Sequence, residues 1–550
     1  MSGPEPGRRP GVALATPRPE AGLLRGNLGA AAAYQQFVKP FEERPQSAPA
    51  WGLLLSISGV RLAIHLALAG RYGYFRDELY FLDCGRNLAW GYVDAAPAIG
   101  LYAKVALLLG GSLPVLRTIA GLAGAAVVLL TGLLAWRLGG SRSAQGLAAV
   151  AAAATPIFLA IAGLFTMNVF EPLFWTGCAY VLVRIADGAS PRLWLLFGLL
   201  AGLGLLNKHS TAFFALALLA GLLLSPYRRS LVTPWPWAGA GVALLVFLPN
   251  LLWQAANGFP TLEDLRNVAR TGKNVVLGPG EFVLAQILQQ GPHLFPFWLG
   301  GLAWLLLARG GRYRPLGSAF AFFFVLMFAM KAKGYYLTPA FPMLLAAGAV
   351  GIDELLERRF PRMSWPRAAI AAYAVLLTVP VAPLVLPVLD PPAFVAYTKS
   401  LGFEPPRSEV AHRGPLPQAF GDQFGWPELV ADVAKVWNGL TPGERARAAV
   451  FANNYGEAGA INLFGPALGL PRALSAHQNH FFWGARGFTG DILVVLQDDR
   501  ESLERVCASV EEAGRHSHPW GMAEENGAIW VCRGLKTPLP RLWPRLKHWN

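Results

Sequence analysis

Long apolar runs, separated by short polar segments, occupy residues 51–389 of the 550-residue chain. A helix needs ~20 apolar residues to cross the hydrocarbon core of a bilayer, and several runs approach or exceed that length. We predict about eleven membrane-spanning helices, the shorter ones accommodated by flanking residues or local thinning of the bilayer. The predicted spans are residues 51–70, 113–138, 144–165, 172–185, 193–206, 211–224, 235–256, 282–308, 316–330, 337–352 and 368–389. The fold class predicted is a polytopic α-helical membrane protein.

The composition supports a membrane protein and argues against nucleic-acid binding. The chain is 54% hydrophobic and 15% charged, whereas soluble domains are about a quarter charged. The net charge of +14 is spread over short loops, not over one binding surface, through Arg137, Arg142, Arg184, Arg192, Arg228, Arg229, Arg309, Arg312, Arg314, Arg358, Arg359 and Arg362. These loops alternate with loops poorer in basic residues. The pattern places the N-terminus in the cytoplasm and everything after about residue 390 outside.

The chain divides into three predicted parts. Residues 1–50 are rich in Pro, Gly and Ala without an apolar core, which predicts a flexible cytoplasmic tail and not a signal peptide. Residues 51–390 form the transmembrane domain. Residues 391–550 predict an extracytoplasmic α/β domain, with helical spacing at 421–440, strands at 447–456, 491–498 and 527–534, and a helix at 501–514. Cys507 and Cys532 both lie in this domain. The sequence is compatible either with a disulfide between them or with two free thiols.

One apolar stretch, residues 97–110, is too short to span the membrane comfortably. If it crossed, all later loops would change sides and the charge pattern would be lost. We therefore predict a helix lying at the outer interface.

Polar side chains outside the basic loops collect on the predicted outer face. The segment RYGYFRDELYFLDCGRNLAWGYVDAAP, residues 71–97, carries Asp77, Glu78, Asp83 and Asp94. Other outer turns carry Asn168 and Glu171, Lys208 and His209, the loop 256–282, and Lys331, Lys333, Tyr335 and Tyr336. Acids and lysines at membrane depth are costly and mark functional sites. Together these residues predict one polar cavity that opens outward. Taken singly, each acid or lysine is also compatible with an ordinary loop position, and each lysine with a side chain that extends from a helix end to the membrane surface.

Four segments carry a resemblance to a known family. YFRDELYFLDCGRNLAWGYVDAAP resembles the first outer loop of the polyprenyl-phosphate-sugar-dependent glycosyltransferases of family 39, in the GT-C class. That class includes the protein O-mannosyltransferases and the aminoarabinose transferases. FTMNVFEPLFW, NKHSTAFF and KAKGYYLTPAFP resemble later outer turns of the family, and NNYGEAGAINLFG with SAHQNHFFWG resembles the outer domain of bacterial members. The resemblance covers most of residues 51–535. Glu171 stands where the family frequently has Asp.

The resemblance implies a GT-C fold and an inverting transfer of a sugar from a polyprenyl-phosphate-linked donor to a hydroxyl of a lipid, glycan or protein acceptor. Asp77 is the first choice for the base, with Glu78 or Glu171 orienting the acceptor or sharing the task. Lys208, Lys331 or Lys333, with Tyr335 or Tyr336, would stabilise the leaving phosphate. Acceptor or sugar contacts are predicted at Asp94, His209, Asn454, Tyr455, Glu457, His477 and Trp483. The site would face the periplasmic or extracellular side of a bacterial plasma membrane.

Alternatives stay open at this point. A transporter or flippase of a lipid-linked sugar would also combine many spans with charges at membrane depth, but its charges are expected at the midplane and in repeated halves. The carboxylates could hold a divalent metal ion, although no ligand spacing demands one. The loop 256–282 has the length and position of a mobile cover for the donor.

Overall fold

The computed structural model describes Gly3 and residues 48–308, 311–402, 409–410, 414–488 and 491–549. The chain divides into two units, Met1–Arg44 and Pro45–Asn550. The predicted cytoplasmic tail lies outside the described residues except for Gly3 and residues 48–50, and so does Arg309.

Helices occupy all eleven predicted spans, although three of the predicted spans are broken. The described α-helices of the apolar part are α1 (Trp51–Leu68), α2 (Arg76–Arg86), α3 (Ala98–Leu108), α4 (Leu113–Arg137), α5 (Arg142–Ala154), α6 (Pro156–Ala162), α7 (Met167–Ala186), α8 (Leu193–Asn207), α9 (Thr211–Leu223), α10 (Pro234–Ala256), α11 (Pro260–Thr271), α12 (Pro279–Gln290), α13 (Phe295–Leu307), α14 (Arg314–Ala329), α15 (Phe341–Arg359), α16 (Trp365–Thr378) and α17 (Ala382–Val385). Short 3₁₀ turns include Pro226–Val232, Pro292–Leu294 and Gly334–Ala340.

Five helices of the described residues are long and apolar enough to cross a membrane, and seven spans result if each bent pair counts as one. Four shorter apolar helices accompany them. The predicted number of about eleven therefore stays a prediction. Helix α3 has 11 residues, or ~16 Å at ~1.5 Å per residue, too short to cross. Its position at an interface also stays a prediction.

Proline residues break the predicted continuous spans 144–165 and 282–308. Helices α5 and α6 meet at 64°, because Pro156 has no N–H and forces Thr155 into an extended conformation. Residues 282–308 separate into α12 and α13 at Gly291, which has φ 88°, and Pro292. Beside the first break, Arg61 donates to the carbonyls of Ala153 at 2.8 Å and Phe158 at 2.5 Å. The buried guanidinium thus satisfies backbone oxygens near the break.

The C-terminal region is an α/β domain, as predicted. Its described helices are α18 (Pro391–Ser400), α19 (Gln418–Gly421), α20 (Trp426–Gly439), α21 (Pro442–Arg445), α22 (Tyr455–Phe464), α23 (His480–Trp483), α24 (Arg500–Val506) and α25 (Leu539–Leu542). Strands β1 (Ala448–Phe451), β2 (Ile492–Leu496), β3 (Cys507–His516) and β4 (Gly527–Leu535) form a sheet in the order β1-β2-β4-β3. Strands β1 and β2 are parallel, and β4 is antiparallel to both β2 and β3.

The predicted helix at 501–514 is wrong in its second half. Helix α24 ends at Val506, and residues 507–516 form the edge strand β3. This segment contains Glu511 and Glu512, whose helix propensity favoured the wrong prediction. Pairing with β4 and the covalent bond between Cys507 and Cys532 override that local preference.

The Cys507–Cys532 disulfide, left open by the sequence, closes over 25 residues with Cα atoms 5.8 Å apart. Replacing both cysteines by serine is expected to lower the free energy of unfolding of the C-terminal domain by about 3 kcal/mol, because the unfolded chain regains loop entropy. Thermal unfolding with and without reductant measures the loss. The double serine variant is the control, since reductant should no longer change its melting temperature. An equal response of both proteins to reductant would contradict the prediction.

Two polar segments of the apolar part are built into the C-terminal domain. We call residues 71–97 the first polar loop and residues 257–278 the second. In the first, Leu79 belongs to the core beneath the sheet, with Val450 and Val494. The second contains α11, from which Glu263 pairs with Lys547 at 2.6 Å. Both polar loops therefore contact the C-terminal domain. The mobility predicted for residues 256–282 stays a prediction.

Candidate active site

Asp77 lies in the first turn of α2, inside the first polar loop. Its Oδ1 accepts a 2.8 Å hydrogen bond from the hydroxyl of Tyr455, which belongs to the C-terminal domain. Burial raises the pKa of the Asp77 carboxyl above its usual value, while the Arg76 guanidinium and the Tyr455 hydrogen bond oppose that rise. A half-buried carboxyl with a raised pKa is suited to accept a proton near neutral pH.

Glu78, the next residue, is fully buried and bonded to the protein itself. Its two oxygens accept from the backbone N–H groups of Phe165 at 2.9 Å and Phe75 at 2.8 Å. Arg117 lies 3.3 Å from the same carboxylate and donates to the carbonyl of Gly73 at 2.7 Å. These bonds anchor the first polar loop to helix α4. The predicted catalytic role of Glu78 stays a prediction, and its surroundings are those of a carboxylate that shapes the loop.

Glu171 of α7 and Lys208 at the end of α8 form a buried ion pair of 3.0 Å, with side chains 2% and 15% exposed. The hydroxyl of Ser210 also donates to Glu171. The Lys208 ammonium donates to Asn168 Oδ1 at 2.8 Å and lies 4.9 Å from the centre of the Tyr336 ring. The amine is thus held by oxygens on one side and by an aromatic face on the other.

Of the two lysines in KAKGYY, the structure brings Lys333 and not Lys331 to this region. Lys331 is exposed and has a φ of 52°. Lys333 is half-buried, 3.9 Å from Glu409. Burial lowers the pKa of Lys333, and Lys273 lowers it further, while Glu409 and Asp77 oppose the shift. Lys333 therefore shares one electrostatic environment with the candidate base.

Tyr335 connects the two groups of charges. Its phenol lies within electrostatic range of both Asp77 and Glu171. Its ring centre is 5.7 Å from the Lys208 ammonium and 4.9 Å from the ring of Tyr336. Asp77, Glu171 and Lys208 thus all act on or lie near this one tyrosine.

Asp94 and His209, both predicted contacts, have different surroundings. Asp94 accepts a 2.9 Å hydrogen bond from the Tyr80 hydroxyl, and burial together with Asp264 raises its pKa to about 7. His209 is paired with the Asn250 side chain at 3.0 Å. Asp94 belongs to the wall next to Asp77, whose charge also acts on it, while His209 joins the outer turn to α10.

Glu457 belongs to a buried carboxyl pair. One of its oxygens accepts from the backbone N–H groups of Asn453 at 2.6 Å and Asn454 at 3.3 Å. Glu525 lies beside it, bonded to the Asn454 side chain at 3.2 Å and 3.9 Å from Arg76. Burial raises the pKa of both carboxyls. The Glu457 charge raises the pKa of Glu525 further, whereas a hydrogen bond with Glu525 opposes the rise at Glu457. This pair supports the backbone that carries Tyr455.

Glu525→Gln is expected to flatten a pH dependence of stability. The raised pKa of this carboxyl pair means that the folded state binds protons more tightly than the unfolded state, where glutamates titrate near ~4.5. The free energy of unfolding therefore falls as pH rises from ~4.5 to about 8. Melting temperatures at pH 5, 6, 7 and 8 should show this fall in wild type and a smaller one in the variant. Glu501→Gln, at an exposed position of α24, is the control; equal flattening there would refute the assignment.

Three residues near Asp77 were not predicted as site residues from the sequence. Arg76 lies 3.6 Å from Asp422 and 3.1 Å from Glu524, and thereby joins the first polar loop to the C-terminal domain. Lys273 of the second polar loop acts electrostatically on Asp77, Lys333 and His477. Glu409 faces Lys333. The position of Arg76 directly before Asp77 was the one feature of the sequence that could have marked it as a site residue. Its pairing with Asp422 and Glu524 leaves no local sequence pattern, because these partners are more than 300 positions away.

Two further predicted contacts lie in the segment after β1. His477 Nδ1 accepts from the Tyr455 backbone N–H at 3.1 Å, and the ring of Trp483 contacts that of His480. A metal site has no structural support in the described part of the chain, where no three His, Cys, Asp or Glu side chains are grouped to hold an ion. The proposed chemistry below uses no metal ion.

An apolar cavity of about 390 Å³ lies between α8, α9 and α10. Its lining includes Thr211, three positions after Lys208, and Phe247, whose ring contacts that of His209. Trp194 and Trp237 also line it. This apolar lining suits a hydrocarbon chain.

Comparison with known proteins bears on this arrangement. Residues 94–253 match the family model described as dolichyl-phosphate-mannose-protein mannosyltransferase. The crystal structure of ArnT from Cupriavidus metallidurans bound to undecaprenyl phosphate aligns with a TM-score of 0.54 at 14% identity, over 88% of this chain and 98% of that one. Its apo structure aligns with the same TM-score and coverage at 15% identity. The comparison with curated proteins found no match.

The matched segment includes Asp94, Glu171, Lys208 and His209. The predicted resemblance is thereby confirmed over residues 94–253, and the chain has the ArnT-like GT-C fold with a small C-terminal sheet domain.

Proposed function

We propose that this protein is an integral-membrane glycosyltransferase that moves a sugar from a polyprenyl-phosphate-linked donor to a hydroxyl acceptor, with inversion. One observation carries the proposal. A half-buried carboxylate, Asp77, and the Lys208 ammonium both act electrostatically on a second ammonium group, Lys333, and the Lys208 ammonium lies 5.7 Å from the Tyr335 ring centre. Sugar transfer from a phosphate requires this combination of a proton acceptor and cations.

Asp77 acts as the base. Its carboxylate takes the proton of the acceptor hydroxyl as that oxygen bonds to the anomeric carbon. The bond between the anomeric carbon and the phosphate oxygen breaks, and its electron pair leaves with the polyprenyl phosphate. Attack from the face opposite the phosphate inverts the anomeric carbon. The proton ends on Asp77, whose raised pKa suits it to hold that proton until water removes it.

The cations act on the leaving group. Negative charge grows on the phosphate as the bond breaks, and ammonium groups held in a water-poor site stabilise it. Lys208 and Lys333 are the phosphate-binding lysines in this assignment, with the Tyr335 and Tyr336 hydroxyls as hydrogen-bond donors. Glu171 holds Lys208 in place by their 3.0 Å ion pair. Lys331 is exposed and takes no part.

The apolar cavity supports a lipid-linked donor. Its lining comes largely from α8, α9 and α10 and includes Thr211, three positions after Lys208. A polyprenyl chain in this cavity would present its phosphate to the lysines. ArnT, which shares the fold, is described as bound to undecaprenyl phosphate.

The proposed location is a bacterial plasma membrane, with the site and the C-terminal domain on the periplasmic or extracellular side. The Cys507–Cys532 disulfide supports this side, because disulfides persist in oxidising compartments. The acceptor is a lipid, glycan or protein hydroxyl, and the sugar is a hexose or pentose.

Purified protein in nanodiscs, incubated with a panel of radiolabelled polyprenyl-phosphate sugars, tests the proposal. Release of sugar from the lipid, or its transfer to an added acceptor, is the expected result. The same donors in proteoliposomes test for movement across the bilayer. Translocation without cleavage of any donor would favour a flippase and refute the transferase.

A further inference from the structure

Tyr455 stands out because it joins the candidate base to a part of the chain 378 positions away. Its hydroxyl donates to Asp77 Oδ1 at 2.8 Å. Asp77 belongs to the membrane part of the chain and Tyr455 begins α22 of the C-terminal domain.

The tyrosine is held firmly from several directions. Its backbone N–H donates to His477 Nδ1 at 3.1 Å. Its ring stacks on His477 at 5.1 Å between ring centres and packs at a tilt against Tyr80 at 4.9 Å. His477 stacks in turn on His548 at 4.8 Å. The Arg76 guanidinium lies 5.7 Å from the ring centre. A side chain enclosed in this way can impose a direction on its hydrogen-bond partner.

Other charged groups also act on the Asp77 carboxylate, and together they do not offset the rise in its pKa that burial causes. The groups acting on it, or on which it acts, are Arg76 of its own helix, Lys273 of the second polar loop, Glu409, Lys333 and Tyr335 of the KAKGYY turn, Asp94 of the first polar loop, and Asp422 and Tyr455 of the C-terminal domain. Burial is the largest influence on the pKa and favours the neutral acid. A direct hydrogen bond to the carboxylate opposes it.

We propose that Tyr455 is a positioning residue that keeps Asp77 ionised and aimed at the acceptor, so that the C-terminal domain completes the active site. This rests on the proposed function of Asp77 as base. Tyr455 occupies Oδ1 and leaves Oδ2 to receive the acceptor proton. Because the phenol donates its hydrogen and keeps it, no proton is exchanged between the two side chains. The carboxylate is pre-oriented, and its conjugate acid is disfavoured until the hydroxyl attacks.

The test compares Tyr455→Phe with wild type. The variant keeps the ring and its stacking but loses the hydrogen bond to a charged group, which is expected to raise the pKa of Asp77 by about 1 pH unit or more. The acid limb of the pH–rate profile should move upward by the same amount, and the rate below that limb should fall about tenfold per pH unit. Above the shifted limb, most of the rate should return.

Infrared difference spectroscopy gives a readout that does not need turnover. The carboxyl band that titrates in wild type and vanishes in Asp77→Asn reports the ionisation of Asp77 directly. Tyr72→Phe is the matched control, since its hydroxyl donates to the backbone carbonyl of Leu389 at 2.6 Å, away from Asp77. Neither the band nor the rate profile of that variant should shift.

The outcomes separate the two proposals. An upward shift of both the infrared titration and the acid limb supports positioning by Tyr455. Equal loss of rate at every pH, with the band unmoved, shows a merely structural residue and overturns it. A raised acceptor KM without a shift shows direct contact with the acceptor and also overturns it. If the band shifts but wild type cleaves no donor, the control of Asp77 ionisation is supported while the proposed function fails.

Discussion

Asp77→Asn is expected to lower sugar release from the polyprenyl-phosphate donor by about 10²- to 10⁴-fold, the contribution of a positioned general base. The amide has almost the shape of the carboxylate and its oxygen can still accept the hydrogen bond from Tyr455. It cannot take the acceptor proton. Donor binding should therefore persist while turnover is lost.

Single-turnover release of radiolabel, with donor binding measured in parallel, separates these effects. Asp390→Asn is a matched control, because Asp390 is exposed and caps α18 through its side chain, a task that asparagine performs equally well. If Asp77→Asn turned over the donor as fast as wild type, Asp77 would not be the base. Loss of donor binding in that variant would instead place Asp77 in the donor subsite.

Lys208→Met is expected to damage both stability and turnover. Removal of the lysine leaves the Glu171 carboxylate, 2% exposed, without its cation. Breaking one side of a buried ion pair costs about 3–5 kcal/mol of unfolding free energy. Transfer should also fall, because the leaving phosphate loses a cation.

The double variant Lys208→Met with Glu171→Gln separates the two effects. The neutral amide no longer needs a counter-ion and can still accept from Ser210, so the melting temperature should return towards that of wild type. Turnover should stay low. Lys399→Met, at an exposed position, controls for loss of a lysine. Recovery of turnover in the double variant would show that Lys208 serves the fold and not the phosphate.

The helices could be predicted from local sequence, and the errors in those predictions also have local causes. Each predicted span contains a helix because long apolar runs have one stable backbone form in a bilayer. Breaks at Thr155–Pro156 and Gly291–Pro292 were available from the prolines, yet hydropathy alone joined these segments. The strand β3 was missed because its preference for a helix is local while its pairing with β4 is not.

The identity of the site residues was also largely local. Acids and lysines at the ends of apolar runs are costly, so their presence alone indicates a site. Asp77, Glu171, Lys208 and Lys333 were predicted in this way, and the structure brings Asp77, Glu171 and Lys208 near Tyr335. The division of labour between Asp77 and Glu78 could not be foreseen, because adjacent residues on a helix face different directions and only their partners distinguish them.

By itself, therefore, the sequence determined that the chain is a membrane protein, which segments are helical, and which charged residues are candidates for chemistry. Only the tertiary structure decided that Arg117 and the Phe165 N–H engage Glu78, that Lys333 pairs with Glu409, and that Tyr455 reaches Asp77. These contacts join segments up to 378 positions apart. Apolar periodicity and intrinsic propensity act over a few turns of chain, whereas a carboxylate's pKa and direction depend on whichever groups folding brings within hydrogen-bond distance.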